Sequence, residues 1–225
     1  MRATLFTNVL ADSSQDRLRL EGASLDQINQ TTRTISRYDM HHYEKRNLPV
    51  DKVRRFLEPG PIVLVSSKWK GATNIMTMGW HMVMGFEPSL IGCYIWDENH
   101  SFEMLRRSKE CVINIPTEDI AAKVVGIGNS SGRDIDKFKK FRLTAAPGKK
   151  VKAPLIAECY ANFECRLADS SLINRYSLFV WEVVKAHTAS SPRYPRTLHY
   201  RGDGIFMLSD GNTSRYRRLF KSPNL

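Results

Sequence analysis

The chain has 225 residues, of which 42% are apolar and 25% are charged, a composition that excludes both a disordered chain and a membrane-embedded one. Its 34 Lys and Arg outnumber 23 Asp and Glu, so the formal net charge is +11 and the surface attracts anions, including phosphates and nucleic acids. Because the four cysteines are too scattered for a disulfide scaffold and the N-terminus lacks a secretory apolar core, we expect a cytoplasmic protein without a membrane segment.

The N-terminal residues differ in character from the rest of the chain. Residues 1–44 are polar and only weakly periodic, and we interpret them as an arm, with a short helix expected around Ser24–Thr31. A domain is predicted over residues 45–225. It begins with a short amphipathic segment that stops at Pro59-Gly60-Pro61, because this combination of proline and glycine punctuates regular structure.

After residue 61 the sequence predicts mainly strands. Ile62–Ser67 is rich in β-branched and apolar residues, as expected for a strand buried on both faces. The other predicted strands are Ser89–Trp96, Cys111–Ile115, Glu158–Leu167, Tyr176–Val184, Tyr194–Arg201 and Gly204–Leu208. Helices are predicted at Phe102–Ser108, from Thr117 to about Val125, and at Ile135–Phe141. Strands outnumber helices and the connections are short, which favours a small antiparallel barrel with helical insertions.

Common catalytic and nucleotide-binding motifs are absent from the sequence. It contains neither a G-x-S-x-G nucleophile elbow nor a G-x-x-x-x-G-K-[ST] phosphate loop. Cys159 and Cys165 lie six residues apart, too far along a strand to share a metal ion, and they are predicted to be ordinary buried thiols. We therefore expect no serine hydrolase, no P-loop and no metal site.

Residues 74–86, NIMTMGWHMVMGF, are the first unusual feature, because they combine four methionines with two glycines. One interpretation is core packing, with methionine filling irregular gaps. The other is a platform for a flat aromatic ligand. In that case Gly79 would let the backbone approach the ring and Trp80 would offer an aromatic surface.

Asn99-His100-Ser101 is the second unusual feature, because it stands at a predicted helix start. Plain N-capping would explain it, although a cap needs only one of these residues. The alternative is a phosphate seat, in which helix N–H groups, the Ser101 hydroxyl and the His100 imidazole converge on an anion. Together, a flat-ring platform and a phosphate seat indicate a flavin mononucleotide (FMN) pocket.

The order of the sequence segments resembles the flavin reductase-like, FMN-binding split-barrel family, in particular its flavoredoxin branch. The match covers roughly residues 45–218. The segments that carry it are, in order, PGPIVLVSSKWKGATNIMTMGW, PSLIGCYIW, HSFEML, CVINIP, SSGRDIDKF, KAPLIAECYANFECRL, LFVWEVVKAH and LHYRGDGIFML. Each segment alone is a loose match, but the ordered set is specific.

The resemblance implies a mainly β fold with helical insertions, a six-stranded Greek-key antiparallel barrel. It also implies a homodimer that holds FMN near the subunit interface and passes electrons from NADH, NADPH or a protein donor to an acceptor. The residues that would line the flavin ring and ribityl chain are Asn74, Thr77, Met78, Gly79 and Trp80. Those that would meet the phosphate are His100 and Ser101, with Phe102 behind them, while Ser131 and Lys137 would close over the cofactor.

Some residues depart from the family pattern. Arg142-Leu143 stands where the family usually has Gly-Leu, and Gly79 occupies a position where a small hydroxyl residue is common. Lys137 and Arg215 are candidate cations for the reduced ring. No catalytic side chain is assigned, because the hydride chemistry belongs to the flavin.

Two other functions stay open at this point. The first is a carrier or sensor that binds FMN without turnover. The second is an interaction with nucleic acid through the basic residues after position 214, but that cluster is short and holds few aromatics, so nucleic acid is not expected. The candidate electron acceptors are flavins, ferric complexes and redox proteins.

Overall fold

The computed structural model describes residues 42–53, 60–202 and 204–214. The strands in these ranges are β1 (Lys45–Leu48), β2 (Val63–Trp69), β3 (Ala72–Met78), β4 (His81–Phe86), β5 (Ser89–Tyr94), β6 (Glu110–Ile115), β7 (Ala145–Ala146), β8 (Leu155–Ile156), β9 (Ala161–Asp169), β10 (Leu178–Ala189), β11 (Leu198–Gly202) and β12 (Ile205–Leu208). The α-helices are α1 (His100–Ser108), α2 (Ala121–Gly128), α3 (Lys137–Lys140) and α4 (Ile173–Tyr176), and 3₁₀ turns lie at Val50–Lys52 and Glu118–Ile120.

Three expectations fall outside the described residues. They are the helix around Ser24–Thr31 with the rest of the arm up to residue 41, the end of the amphipathic segment at residues 54–59, and Arg215 with its basic neighbours. The division of the chain at residue 44 therefore stays a prediction.

The main sheet is antiparallel and has eight strands, in the order β3-β2-β6-β9-β10-β5-β4, with β1 also paired to β10. Its two end strands, β3 and β4, are consecutive in the chain and are joined only by Gly79-Trp80. Such a connection spans roughly 10 Å at most, so the sheet must curl until its ends meet. This confirms the mainly β, antiparallel barrel that the sequence predicts, with eight strands in the sheet where the resemblance implies six.

Apolar side chains pack on both faces of the curled sheet. Val63 and Val65 of β2 belong to the larger core cluster, which also holds Phe163 and Trp181. Leu64, between them, points to the other face and joins a second cluster beneath α2 and α3. The prediction that this segment is buried on both faces is confirmed.

Local turns explain where the predicted boundaries differ from the observed ones. The strand predicted from Tyr176 begins at Leu178, because α4 ends there with Ser177 at a positive φ of 53°. Residues 74–86 do not form one continuous strand. They divide between β3 and β4, which lie at opposite ends of the sheet order. Periodicity alone cannot reveal such a corner, since both strands carry the same kind of side chain.

The four cysteines of the chain are all free and buried, as predicted. Burial raises the pKa of the thiols of Cys93, Cys111 and Cys159 above their ordinary value. Across the described ranges, none of the helices has the length and apolar character that crossing a bilayer requires.

Helix α3 ends in a left-handed turn at Arg142. This turn explains why the family that the sequence resembles usually has glycine at the position of Arg142. Arg142 has φ of 49°, and the N–H of Leu143 donates back to the carbonyl of Phe138 at 2.9 Å. This six-to-one bond, with Phe138 and Leu143 in the same core cluster, is a Schellman motif, in which the left-handed residue is usually glycine. Arg142 therefore adopts a conformation whose free energy is higher for a residue with a Cβ than for glycine.

We expect Arg142→Gly to raise the free energy of unfolding by about 0.5–1 kcal/mol, because relief of the left-handed strain exceeds the extra entropy of glycine in the unfolded chain. Thermal unfolding measures the change, as a rise in Tm of about 1–4 °C. The matched control is Lys140→Gly, within the same helix, which should lower the stability by a similar amount. A lower Tm for Arg142→Gly would contradict the assignment.

Candidate functional site

A cavity of about 270 Å³ opens where strand β3 faces the start of α1, the loop after α2, and α3. Six of the residues predicted for the site line it, namely Asn74, Thr77, His100, Ser101, Ser131 and Lys137. They come from four separate segments of the chain, and the fold brings them together around one space.

The first turn of α1 borders this cavity through His100 and Ser101. Asn99 occupies the N-cap position, but its side chain makes no capping hydrogen bond. Cap geometry alone therefore does not explain the Asn99-His100-Ser101 triplet. The N–H groups of an uncapped first turn carry partial positive charge and are suited to bind an anion.

Lys137 contributes a buried cation to the cavity. Its side chain is 4% exposed, and Nζ donates to the carbonyl oxygen of Ile127 at 2.9 Å. Burial lowers the pKa of Lys137 to about 8, and no carboxylate of the described ranges offsets this shift. An ammonium group buried without a counter-ion is unfavourable, and an anionic ligand would compensate it.

His100 is a neutral hydrogen-bonding group near pH 7. Burial, followed by the positive charges of Arg133 and Lys137, lowers the pKa of His100 below its ordinary value, although Asp134 acts in the opposite direction. Arg133 adds an exposed cation at the rim, where its Nη2 donates to the carbonyl oxygen of Glu98 at 3.3 Å. The cavity thus combines two cations, Lys137 and Arg133, and one acidic residue, Glu98, with neutral donors.

Asn74 lies beside Ser101. Asn74 Nδ2 donates to Ser101 Oγ at 2.8 Å, and the residue is 2% exposed. Its other amide atom, Oδ1, is buried without a hydrogen-bond partner. The loop after α2 passes very close to it, since a Cβ added to Gly132 would fall 2.2 Å from Asn74 Oδ1. Only glycine fits at this point of the loop.

A second cavity of about 230 Å³ adjoins the first and shares Met76, Thr77 and Asn99 with it. Its other lining residues are Met78, Gly79, Trp80, Tyr94 and Trp96. The rings of Trp80 and Tyr94 lie 5.2 Å apart, and 71% of Trp80 is exposed. The second cavity is therefore an open aromatic surface next to the anion-binding end.

The structure distributes the remaining predicted residues as follows. Met78, Gly79 and Trp80 line the second cavity, whereas Phe102 lines neither of the two and packs edge-on against Phe179 at 5.3 Å. A Cβ on Gly79 would lie 2.9 Å from Ile62 Cδ1, so the missing side chain of Gly79 makes room for Ile62.

Sequence reasoning missed several residues of the two cavities, namely Met76, Tyr94, Trp96, Gly132 and Arg133. Tyr94 is the last residue of β5, and Trp96 lies two residues beyond it. The pairing of β4 with β5 brings this end of β5 beside Trp80. Strand pairing between distant segments is not visible in one sequence. Gly132, in contrast, stands in SSGRD and could have been marked as a close-approach glycine.

Chemically, the arrangement joins a seat for a phosphate-like anion to a surface for a planar ring. Among the residues that the structure covers, no three His, Cys, Asp or Glu side chains lie together as metal ligands would. The cavities offer donors and cations at one end and apolar, aromatic groups at the other.

A family model described as flavin reductase like domain matches residues 54–208 of the chain. An uncharacterised protein of Archaeoglobus fulgidus is 34% identical over 111 residues, which cover 49% of this chain and 63% of that protein. The match thus spans slightly less than two thirds of the length of that relative.

Two solved structures share the fold. The FMN-binding domain of a flavin reductases-like enzyme from Shewanella baltica superposes with a TM-score of 0.72 at 23% identity, covering 78% of this chain and 99% of that one. Flavoredoxin of Desulfovibrio vulgaris (Miyazaki F) gives a TM-score of 0.64 at 20% identity, covering 70% and 91%. At these identities the likeness concerns the fold, and it confirms the split barrel expected from the sequence.

The buried cation makes anion binding depend on pH. The ammonium form of Lys137 predominates below its pKa of about 8 and is lost above it. Affinity for inorganic phosphate should therefore be constant just below pH 8 and fall by up to about tenfold per pH unit above it. The rise of Tm with phosphate concentration, measured across this pH range, gives the dissociation constant.

Two variants test the origin of this pH dependence. Lys137→Met should bind phosphate at least about tenfold more weakly and without the decline above pH 8. Lys139→Met, on the exposed face of the same helix, should keep the wild-type profile. A wild-type affinity that does not change with pH would show that Lys137 does not act on the anion.

Proposed function

The chain belongs to the flavin reductase-like family, and we propose that it binds FMN and transfers electrons through it, from a reduced nicotinamide or a protein donor to a flavin, ferric or protein acceptor. The observation that carries this proposal is the pair of adjoining cavities. One cavity is cationic and the other aromatic, and they share Met76, Thr77 and Asn99. FMN has the same two parts, a phosphate and a planar ring, joined by a short polyol.

The residues present fit this cofactor. The phosphate would be held by Lys137, by the hydroxyl of Ser101 and by N–H groups in the first turn of α1. His100, neutral near pH 7, would add a further donor. The orphaned oxygen of Asn74 also favours a ligand with donor groups, because a buried acceptor without a partner is costly until one arrives.

When bound, FMN supplies hydride and single-electron chemistry, and the protein supplies position and electrostatics. Thr77 donates its hydroxyl to the carbonyl oxygen of Val124 at 2.7 Å, which fixes β3 against α2 and leaves the Thr77 oxygen able to accept from a ligand. Trp80 and Trp96 would cover one side of the ring and exclude water from it. The open side of the second cavity would admit donor and acceptor.

We also propose that the protein is a homodimer. The outward side chains of β4 are apolar and exposed, with Met82 at 54% and Met84 at 46%, and Trp80 next to them at 71%. Both methionines lie over Gly92 of β5, where an added Cβ would fall 2.8 Å from the sulfur of Met84. A second copy seated on this surface would cover its exposed apolar side chains.

Flavin binding is tested with the purified protein and FMN. We expect quenching of FMN fluorescence on titration and, with NADH or NADPH present, loss of nicotinamide absorbance that depends on an added flavin or ferric acceptor. The double variant His100→Ala/Ser101→Ala should weaken FMN binding by about ten- to hundredfold per lost contact to the phosphate, and riboflavin binding much less.

The outcomes separate the possible functions. Unchanged fluorescence of FMN in the presence of wild-type protein would refute the proposal. Binding of FMN without turnover with either nicotinamide would favour a carrier, a sensor, or an enzyme served by a protein electron donor.

The dimer is tested by light scattering after gel filtration. Met82→Glu should convert the dimer to a monomer at micromolar concentration, because it places a charge within the apolar contact. Ile205→Glu is the matched control, since Ile205 is exposed to 61% on β12, away from β4 in the sheet pairing. A monomeric wild-type protein, or a Met82→Glu variant that stays dimeric, would contradict the assignment.

A further inference from the structure

The hydrogen bond between Asn74 and Ser101 satisfies only one end of the Asn74 side-chain amide. Its Nδ2 donates to Ser101 Oγ at 2.8 Å, while Oδ1 is buried and has no hydrogen-bond partner among the residues that the structure describes. A buried asparagine is normally retained where both ends of its amide are satisfied. One satisfied end and one orphaned end indicate that the group completes its bonds with a ligand.

The direction of this bond determines what Ser101 can do. A serine hydroxyl has one proton to donate and two lone pairs. Because the oxygen accepts from Asn74, the proton remains free, and no acceptor for it is present in the described part of the chain. The cavity is lined by Ser101, so the proton is available to a ligand oxygen there.

The surroundings hold Asn74 in this position. Gly132 approaches its Oδ1 so closely that a Cβ would fall 2.2 Å from the oxygen and 2.9 Å from His100 Cδ2. Asn74 also lies on β3, which pairs with β2 along its whole length, so its backbone is fixed as well. The amide is therefore confined between a strand and a loop, with Ser101 as its hydrogen-bond acceptor.

We propose that Asn74 is a positioning residue of the phosphate end: its amide N–H holds the Ser101 hydroxyl as a donor toward the ligand phosphate. The assignment rests on the proposed FMN function and differs from the role along the ring that the resemblance implies for Asn74. Asn74 acts on the phosphate through Ser101, and its free oxygen accepts a donor group of the same ligand.

A double-mutant cycle on Asn74 and Ser101 tests this role, with dissociation constants for FMN and riboflavin measured by fluorescence quenching. Ser101→Ala should weaken FMN binding by about ten- to hundredfold, the usual loss for a hydrogen bond to a charged group. Asn74→Ala should cause at least as large a loss in the wild-type protein but a clearly smaller loss in the Ser101→Ala background, where only the bond to its Oδ1 is removed. With riboflavin, which has no phosphate, the two substitutions should show no coupling.

A merely structural role for Asn74 gives a different result. It would weaken FMN and riboflavin alike, or its effect would add fully to that of Ser101→Ala, and either finding overturns the proposal. Thr73→Ala is the matched control, because Thr73 is the exposed neighbour of Asn74 on β3 and should leave both affinities unchanged.

A second variant keeps the test valid if Asn74→Ala does not fold. Asn74→Asp has nearly the same shape but offers no N–H, so the Ser101 proton must turn to it and away from the phosphate. FMN binding should fall at least as far as in Ser101→Ala, and retention of wild-type affinity overturns the proposal. If the wild-type protein binds neither FMN nor riboflavin, the proposed function itself is wrong, which is a separate outcome.

Discussion

The two-residue connection between β3 and β4 is the constraint on which the rest of the structure depends. These strands lie at opposite ends of the sheet order, and Gly79-Trp80 alone joins them. The sheet has to curl for this connection to close, and the curl leaves a seam where β3 and β4 meet without pairing in the described residues. The aromatic cavity lies at that seam, and the anion-binding cavity lies along β3 beside it.

The cavity beside Lys137 combines several features that are unfavourable in the protein alone. Within residues 42–53, 60–202 and 204–214, Lys137 is buried without a counter-ion, the first turn of α1 lacks a side-chain cap, and one amide oxygen of Asn74 is unpaired. An anion would compensate the buried cation and the uncapped turn, whereas the amide oxygen would be satisfied by a donor group of the same ligand. Local unfavourable features that share one cavity are typical of functional sites, since a binding site cannot be fully satisfied before its ligand arrives.

The sequence located several of the longer strands, but it did not predict β3 and β4 as strands, and it predicted the site only in part. Alternation along the segments after residue 61 located the strands, because a half-buried strand must alternate apolar and polar residues. The corner at Gly79-Trp80 and the pairing of β4 with β5 were not predictable, since both depend on contacts between distant segments. For the same reason, the convergence of Asn74, Ser101 and Lys137 could be expected only from a resemblance to a family. For Arg142, in contrast, the structure explains a difference that the sequence already showed. Its positive φ is the physical reason why the family usually has glycine at this position.

Because every cysteine is buried, the thiols of this protein are not placed to exchange electrons with an external disulfide. All four thiols are free and enclosed, so a dithiol relay to an external disulfide has no accessible starting point. The same enclosure protects the sulfurs from peroxide that a reduced flavin and oxygen would generate nearby. If the chain binds FMN as proposed, electrons would pass directly between the flavin and a molecule that reaches the second cavity, without a cysteine as an intermediary.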